Sequence, residues 1–120
     1  MNYLLLIYTE EKKFAALPEA AQQKMMKDFR EFTESIVKSG HYRAGDQLAP
    51  VSTATTVRGK NGKAVTTDGP FVETKEQLGG YYLVEAKDLD EAVALARRIP
   101  SVGVTGGVEV RPIVPRTKEA

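Results

Sequence analysis

The sequence has no cysteine, no tryptophan, a single histidine and no long apolar run. Without cysteine there is no disulfide framework, no thiolate nucleophile and no thiolate-ligated zinc or iron–sulfur cluster. His41 stands alone, which excludes a two- or three-histidine metal site within one chain, and neither metal nor cofactor is expected. A surplus of either charge is missing as well, since 17 basic residues against 16 acidic ones leave a formal charge of +1. A dedicated nucleic-acid binder shows a clear basic excess, so nucleic acid is set aside as a partner. The N-terminal apolar run, Tyr3 to Tyr8, is too short for a signal-peptide core and has neither a basic lead nor a small-residue cleavage site. Nothing approaches the ~20 apolar residues of a membrane span. The reading is cytoplasmic, with no membrane contact.

What is present suits one domain. The chain has 120 residues, 42% hydrophobic and 28% charged, and a chain of this length buries about two-thirds of its unfolded surface. Residues 1–114 are read as that domain and 115–120 as a polar tail. Residues 2–8 form a short apolar strand. Met25, Phe29, Phe32 and Ile36, spaced by four, three and four, put one apolar stripe on a helix over 18–39, opened by Pro18 and closed by Gly40. Short strands follow at 41–48 and 53–58. Gly59-Lys60-Asn61-Gly62 turns the chain back into a strand at 63–67. A polar loop spans 68–79, with one helical turn expected near Glu73–Leu78, and a strand resumes over 80–86. Asp88 caps a second helix, with Glu91 three residues on. Leu89, Ala92, Ala96 and Ile99 share its apolar face, and Pro100 ends it. The last strand, 108–114, alternates Val108, Val110 and Pro112 with Glu109 and Arg111.

That order is β-α-β-β-α-β with an extra hairpin, the α+β ferredoxin-like plan, in which the first and third core strands are central. Both are apolar on two faces here, and two helices cover only one face of a sheet. Large exposed apolar patches are rare on monomers, so a second copy packed sheet against sheet is the simplest cover. A homodimer through the sheet face is therefore expected.

The run Asp68-Gly69-Pro70-Phe71, continuing through Val72-Glu73-Thr74-Lys75-Glu76-Gln77-Leu78-Gly79-Gly80-Tyr81-Tyr82, resembles the DGPF motif of the YCII-related family. Tyr3 to Tyr8, Ala44 to Leu48, Thr53 to Arg58 and Val108 to Pro112 resemble it too, so the likeness spans nearly the whole chain. It implies a dimeric α/β barrel, a bacterial cytoplasmic protein and a link with extracytoplasmic-function sigma factors. It does not imply an activity. The broader family's proposed histidine and aspartate fall near Phe29 and Ile99 in this chain, and neither side chain transfers a proton.

Candidate chemistry centres on the motif. Asp68 is the first choice for a general base or an acceptor from a ligand, provided burial raises its pKa. Against that stands a turn in which Asp68 bonds its own backbone and Phe71 anchors the loop in the core. Glu73, Lys75 and Glu76 offer two carboxylates around an ammonium, with Glu76 the second candidate base, or else a solvated turn with screened ion pairs. His41, Tyr42 and Arg43 sit at a helix–strand boundary, where Arg43 pairs with an anion or with Asp46. Tyr82 belongs to a set of sheet tyrosines with Tyr3, Tyr8 and Tyr81. That set invites comparison with base-stacking sheets, but the accompanying basic residue is absent. Three functions follow: a module holding a small molecule in the barrel cavity, with Phe71, Glu73, Lys75, Tyr82, His41 and Arg43 as contacts; a metal-independent isomerase- or lyase-like enzyme on a small carbonyl or lactone compound, using Asp68 and Glu76; or an interaction protein in a sigma-factor-linked pathway.

Overall fold

The two strands with apolar residues on both faces take the centre of a four-stranded antiparallel sheet, in a computed structural model that describes residues 1–116. In chain order the elements are β1 (Asn2–Thr9), α1 (Glu11–Ala16), α2 (Glu19–Lys38), β2 (Tyr42–Gln47), β3 (Thr55–Lys60), β4 (Lys63–Asp68), β5 (Gln77–Glu85), α3 (Leu89–Arg97) and β6 (Gly106–Pro112). The sheet order is β2-β5-β1-β6, and β3 pairs only with β4 in a separate hairpin. This is the ferredoxin-like plan with one inserted hairpin. The polar tail expected over 115–120 lies, from residue 117 on, outside the described residues. Among the described residues, no helix is long and apolar enough to cross a membrane.

Strand alternation sorts the sheet into two faces. Tyr3, Leu5 and Ile7 of β1, with Tyr82 and Val84 of β5, are buried with Phe32 and Ile36 of α2 and Ala92, Leu95 and Ala96 of α3. Val108 and Val110 pair with Ile7 and Leu5 and pack against the same core from β6. The intervening residues, Leu4, Leu6, Tyr8, Tyr81 and Leu83, point to the other face and are half-buried. We call this the open face. Gly106 allows the closest approach in the sheet: a Cβ there would stand 1.9 Å from the Tyr8 carbonyl oxygen. Neighbouring Gly107 faces open space.

Several local expectations are corrected. The hairpin turn is Asn61-Gly62 alone, both at positive φ (52° and 78°), the signature of a two-residue type I′ turn. Lys60 and Lys63 consequently face each other across it. No helical turn forms near Glu73–Leu78, because β5 already begins at Gln77. There the Gln77 side-chain amide donates to the carbonyls of Val72 (2.7 Å) and Thr74 (3.0 Å), fastening the loop in bends. Leu89 is exposed at the first turn of α3, and Leu95 fills the core instead. Helix α1 has no apolar stripe to announce it. Its end is held by the side-chain amide of Gln22, which donates to Phe14 O and Leu17 O at 3.1 Å each. The cap of α3 is as the spacing predicts, with Asp88 accepting from the Glu91 amide at 2.9 Å.

The molecule is a plate rather than a globule, with extents of 49 × 48 × 18 Å. Its radius of gyration is 16.4 Å, against about 13.5 Å for a compact chain of this length. It exposes 8575 Å², where a compact monomer exposes about 6,400 Å². The hairpin is one cause, since every residue of β4 is exposed.

Candidate functional site

The Asp68-Gly69-Pro70-Phe71 segment closes the base of the hairpin. Asp68 is the last residue of β4, opposite Thr55. Gly69 sits at φ 105°, where only glycine is unstrained. Its amide donates to Ala54 O at 2.8 Å, and its carbonyl accepts from the Thr56 hydroxyl at 2.7 Å. Phe71 does not anchor the loop in the core. It is 61% exposed, with the Arg58 guanidinium 3.9 Å above its ring and an Arg58 N–H donating to its carbonyl at 2.5 Å. Asp68, Glu73, Lys75 and Glu76 are all exposed. Among the described residues, no ion pair joins the last three, so within one chain they point to solvent and do not converge on a proton-handling centre.

The other candidates separate as well. Tyr82 faces the core, edge-on to Phe32 at 5.3 Å between ring centroids, and shares a 2.6 Å hydrogen bond with the Thr33 hydroxyl. Thr33 donates to Phe29 O, which leaves the Tyr82 phenol to donate to Thr33. Burial pushes that phenol above the ordinary tyrosine range. His41 bridges two elements, with Nδ1 2.7 Å from Ser39 Oγ and Nε2 3.2 Å from Glu91 Oε1. Glu91 Oε1 also accepts from the Lys87 amide. This Ser–His–Glu chain lacks free backbone donors beside it, since the amides of Gly40 and His41 close the end of α2 onto Val37 O and Ile36 O. It ties α2 to α3. Arg43 donates to Gly40 O and Tyr42 O, not to Asp46.

Asp46 has a different partner, which the sequence reading missed. Its carboxylate accepts from the Tyr81 phenol at 2.8 Å on the open face. The pairing follows from the β2–β5 register, where a shift between Tyr42 and Ala44 sets Asp46 opposite Tyr81. The hydrogen bond to Asp46, followed by its negative charge, holds the Tyr81 phenol above the ordinary range. Across the strands the row reads Glu109, Leu6, Tyr81, Asp46, and the next reads Arg111, Leu4, Leu83, Ala44. The open face is thus an apolar centre with a phenol–carboxylate pair on one side and an acid–base fringe on the other.

Two grooves of about 400 Å³ each lie elsewhere. One lies beside Met1, Glu85 and Val114. There the N-terminal ammonium stands 2.6 Å from Glu85 and holds its carboxyl below the usual range. The other runs between α2 and the end of α3, where Arg98 donates to Ser35 Oγ at 2.5 Å. Of the positions of the wider family's histidine and aspartate, Phe29 packs half-buried against the core and Ile99 lies within it. Among the described residues, no three His, Asp or Glu side chains converge as a metal site.

Comparison with known proteins agrees with this architecture. The family profile of the YCII-related domain matches residues 1–117. An uncharacterised protein of Rhizobium meliloti (strain 1021) is 36% identical over 114 residues, covering 94% of this chain and 92% of the relative. Among solved structures, the chain resembles the 5-chloro-2-hydroxyhydroquinone dehydrochlorinase (TftG) of Burkholderia phenoliruptrix AC1100, in complex with 2,5-dihydroxybenzoquinone. The TM-score is 0.56 at 13% identity, over 95% of this chain and 94% of that one. At that identity the likeness is one of fold.

Proposed function

The chain belongs to the YCII-related family, and from that membership we propose that it is a DGPF-subgroup protein of the bacterial cytoplasm. In this reading two copies pack through their open faces and hold a small oxygenated cyclic molecule in the barrel between them. The observation that carries this reading is the Asp46–Tyr81 pair, set beside Leu6 and Leu83 on a face that the chain's own helices leave uncovered. A phenol donor and a carboxylate acceptor discriminate a hydroxylated ring from a bare one, because a site built for hydrogen bonds leaves its own polar groups unpaired when the wrong ligand enters. The surplus surface, roughly 2,000 Å² beyond a compact monomer, is of the size an obligate homodimer buries per chain.

A second reading, a metal-independent lyase-like enzyme, is favoured by the structural neighbour, a dehydrochlorinase. Elimination from a chlorinated ring needs a base to take the proton as the C–Cl bond breaks and chloride departs to solvent, and Asp68 and Glu76 are the proposed bases. Native mass spectrometry combined with calorimetric titration of 2,5-dihydroxybenzoquinone tests both readings. A dimer that binds the quinone saturably, with affinity falling about tenfold or more in Asp46→Asn and Tyr81→Phe, supports the binding site. A monomer at micromolar concentration overturns the assembly, and equal affinity in those variants overturns the site. Turnover of a chlorinated hydroquinone that is lost in Asp68→Asn or Glu76→Gln, with binding retained, selects the enzyme.

A further inference from the structure

We propose that Asn61 is a site of spontaneous chemical modification, where the chain converts its own asparagine to aspartate and isoaspartate. The co-reactant is water, and neither a metal nor a second copy is needed.

The chain holds two asparagines in contrasting settings. Asn2 begins β1 and is followed by Tyr3, which is buried in the core. Asn61 is exposed at the tip of the β3–β4 hairpin and is followed by Gly62. A glycine carries no Cβ to obstruct approach to its own nitrogen. A β-turn ties its first and fourth residues, which leaves the amide of the third free. Here the third residue is Gly62, and among the described residues its amide donates to no backbone carbonyl. Lys60 and Lys63 flank the pair. Their ammonium groups favour loss of the amide proton, since a nearby cation stabilises an anion.

The bond changes balance with water alone. The Gly62 nitrogen gives its proton to solvent and attacks Asn61 Cγ. The new N–Cγ bond closes a five-membered succinimide as the Cγ–Nδ2 bond breaks, and Nδ2 leaves as ammonia with a proton from solvent. Water then opens the ring, and nothing is oxidised or reduced. Breaking the new N–Cγ bond leaves aspartate. Breaking the original peptide bond leaves isoaspartate, in which the chain runs through the former side chain.

The turn controls the rate. A type I′ turn holds its first central residue at ψ of about +30°, which points the Gly62 nitrogen away from the Asn61 side chain. Ring closure therefore waits for the turn to open. Opening is easy here, because β3 and β4 pair only with each other and every residue of β4 is exposed. The two products then diverge. Aspartate before glycine keeps the turn and sets a carboxylate between two lysines. Isoaspartate adds one backbone carbon, so Lys60 no longer meets Lys63 in register. The base of the hairpin stays tied by the Gly69 amide on Ala54 O.

The test is incubation of the unaltered chain at neutral pH, with peptides followed by mass spectrometry. Electron-transfer fragmentation separates the two products. Asn61 is expected to convert at least about tenfold faster than Asn2, with isoaspartate in excess. Each conversion takes the formal charge from +1 to zero, so ion exchange resolves the modified chain before any digestion. Against the same chain unfolded in urea, the folded chain is expected to convert Asn61 no more than about a hundredfold more slowly. A smaller advantage over Asn2, or stronger protection by the fold, overturns the site. Aspartate as the sole product overturns the succinimide route.

Discussion

The two faces of the central sheet are built from nearly the same residues and end in different states. Tyr3, Leu5, Ile7, Tyr82 and Val84 are buried in the core with the helices, while Leu4, Leu6, Tyr8, Tyr81 and Leu83 stay half-buried on the opposite face. Adjacent tyrosines make the contrast sharpest. Burial lifts the Tyr82 phenol above its ordinary range, whereas a hydrogen bond to an exposed carboxylate lifts that of Tyr81. Residue type alone does not decide which apolar face is dry. The connections decide it, because both crossover helices land on one side.

Substitutions on the two faces test that contrast. Ile36 is fully buried, and Ile36→Ala is expected to cost about 2–5 kcal/mol in urea unfolding. Leu6→Ala, measured at the same high dilution, is expected to cost less than half as much. Equal costs there would mean that the open face is already covered within a single chain.

Asp88→Ala removes the cap of α3 and is expected to lower stability by about 1 kcal/mol. Tyr82→Phe is expected to cost a similar amount, about 1 kcal/mol, through loss of the bond to Thr33. It also carries a pH signature. With its folded-state pKa raised, Tyr82 contributes stability that is whole below the ordinary tyrosine value of about 10 and is lost as pH rises through the folded value. Melting temperatures between about pH 8 and 11 should therefore fall less steeply in Tyr82→Phe than in the unaltered chain. At the small end, Phe71→Ala removes an exposed ring under Arg58 and is expected to shift chain stability by about 0.5 kcal/mol in thermal melts. A much larger shift at low concentration would mean that the loop packs on its own chain.

Most of the fold was legible because it rests on periodicity. The stripe of Met25, Phe32 and Ile36, the alternation in β6 and the Asp88 cap are local patterns, and the structure has them. The resemblance to the YCII-related family was legible in the same way, from contiguous runs. Elements held by distant side chains were not. Helix α1 depends on Gln22, and the loop before β5 depends on Gln77. The candidate site suffered most from this. Asp46 and Tyr81 are 35 residues apart, and His41 and Glu91 are 50 apart. No spacing rule reports a pair that exists only once a register is set, and the shift at Tyr42/Ala44 moves that register by one. The motif itself was visible from its residue types. The solvated turn offered as the alternative for Glu73, Lys75 and Glu76 agrees with their exposure in the structure, whereas the exposed Phe71 does not agree with the core anchor expected of it.

Gly106 and Gly107 are neighbours in sequence with opposite histories written into them. At 106 even one added carbon meets the backbone of Tyr8, so any side chain would have to push β6 off β1. At 107 the same carbon meets nothing. Evolutionary drift should treat the pair unequally, with the first glycine kept by every descendant that keeps this sheet and the second free to wander. A mutational scan of these two codons would read that inequality directly, with every replacement at position 106 lost and position 107 recording which side chains the open face accepts.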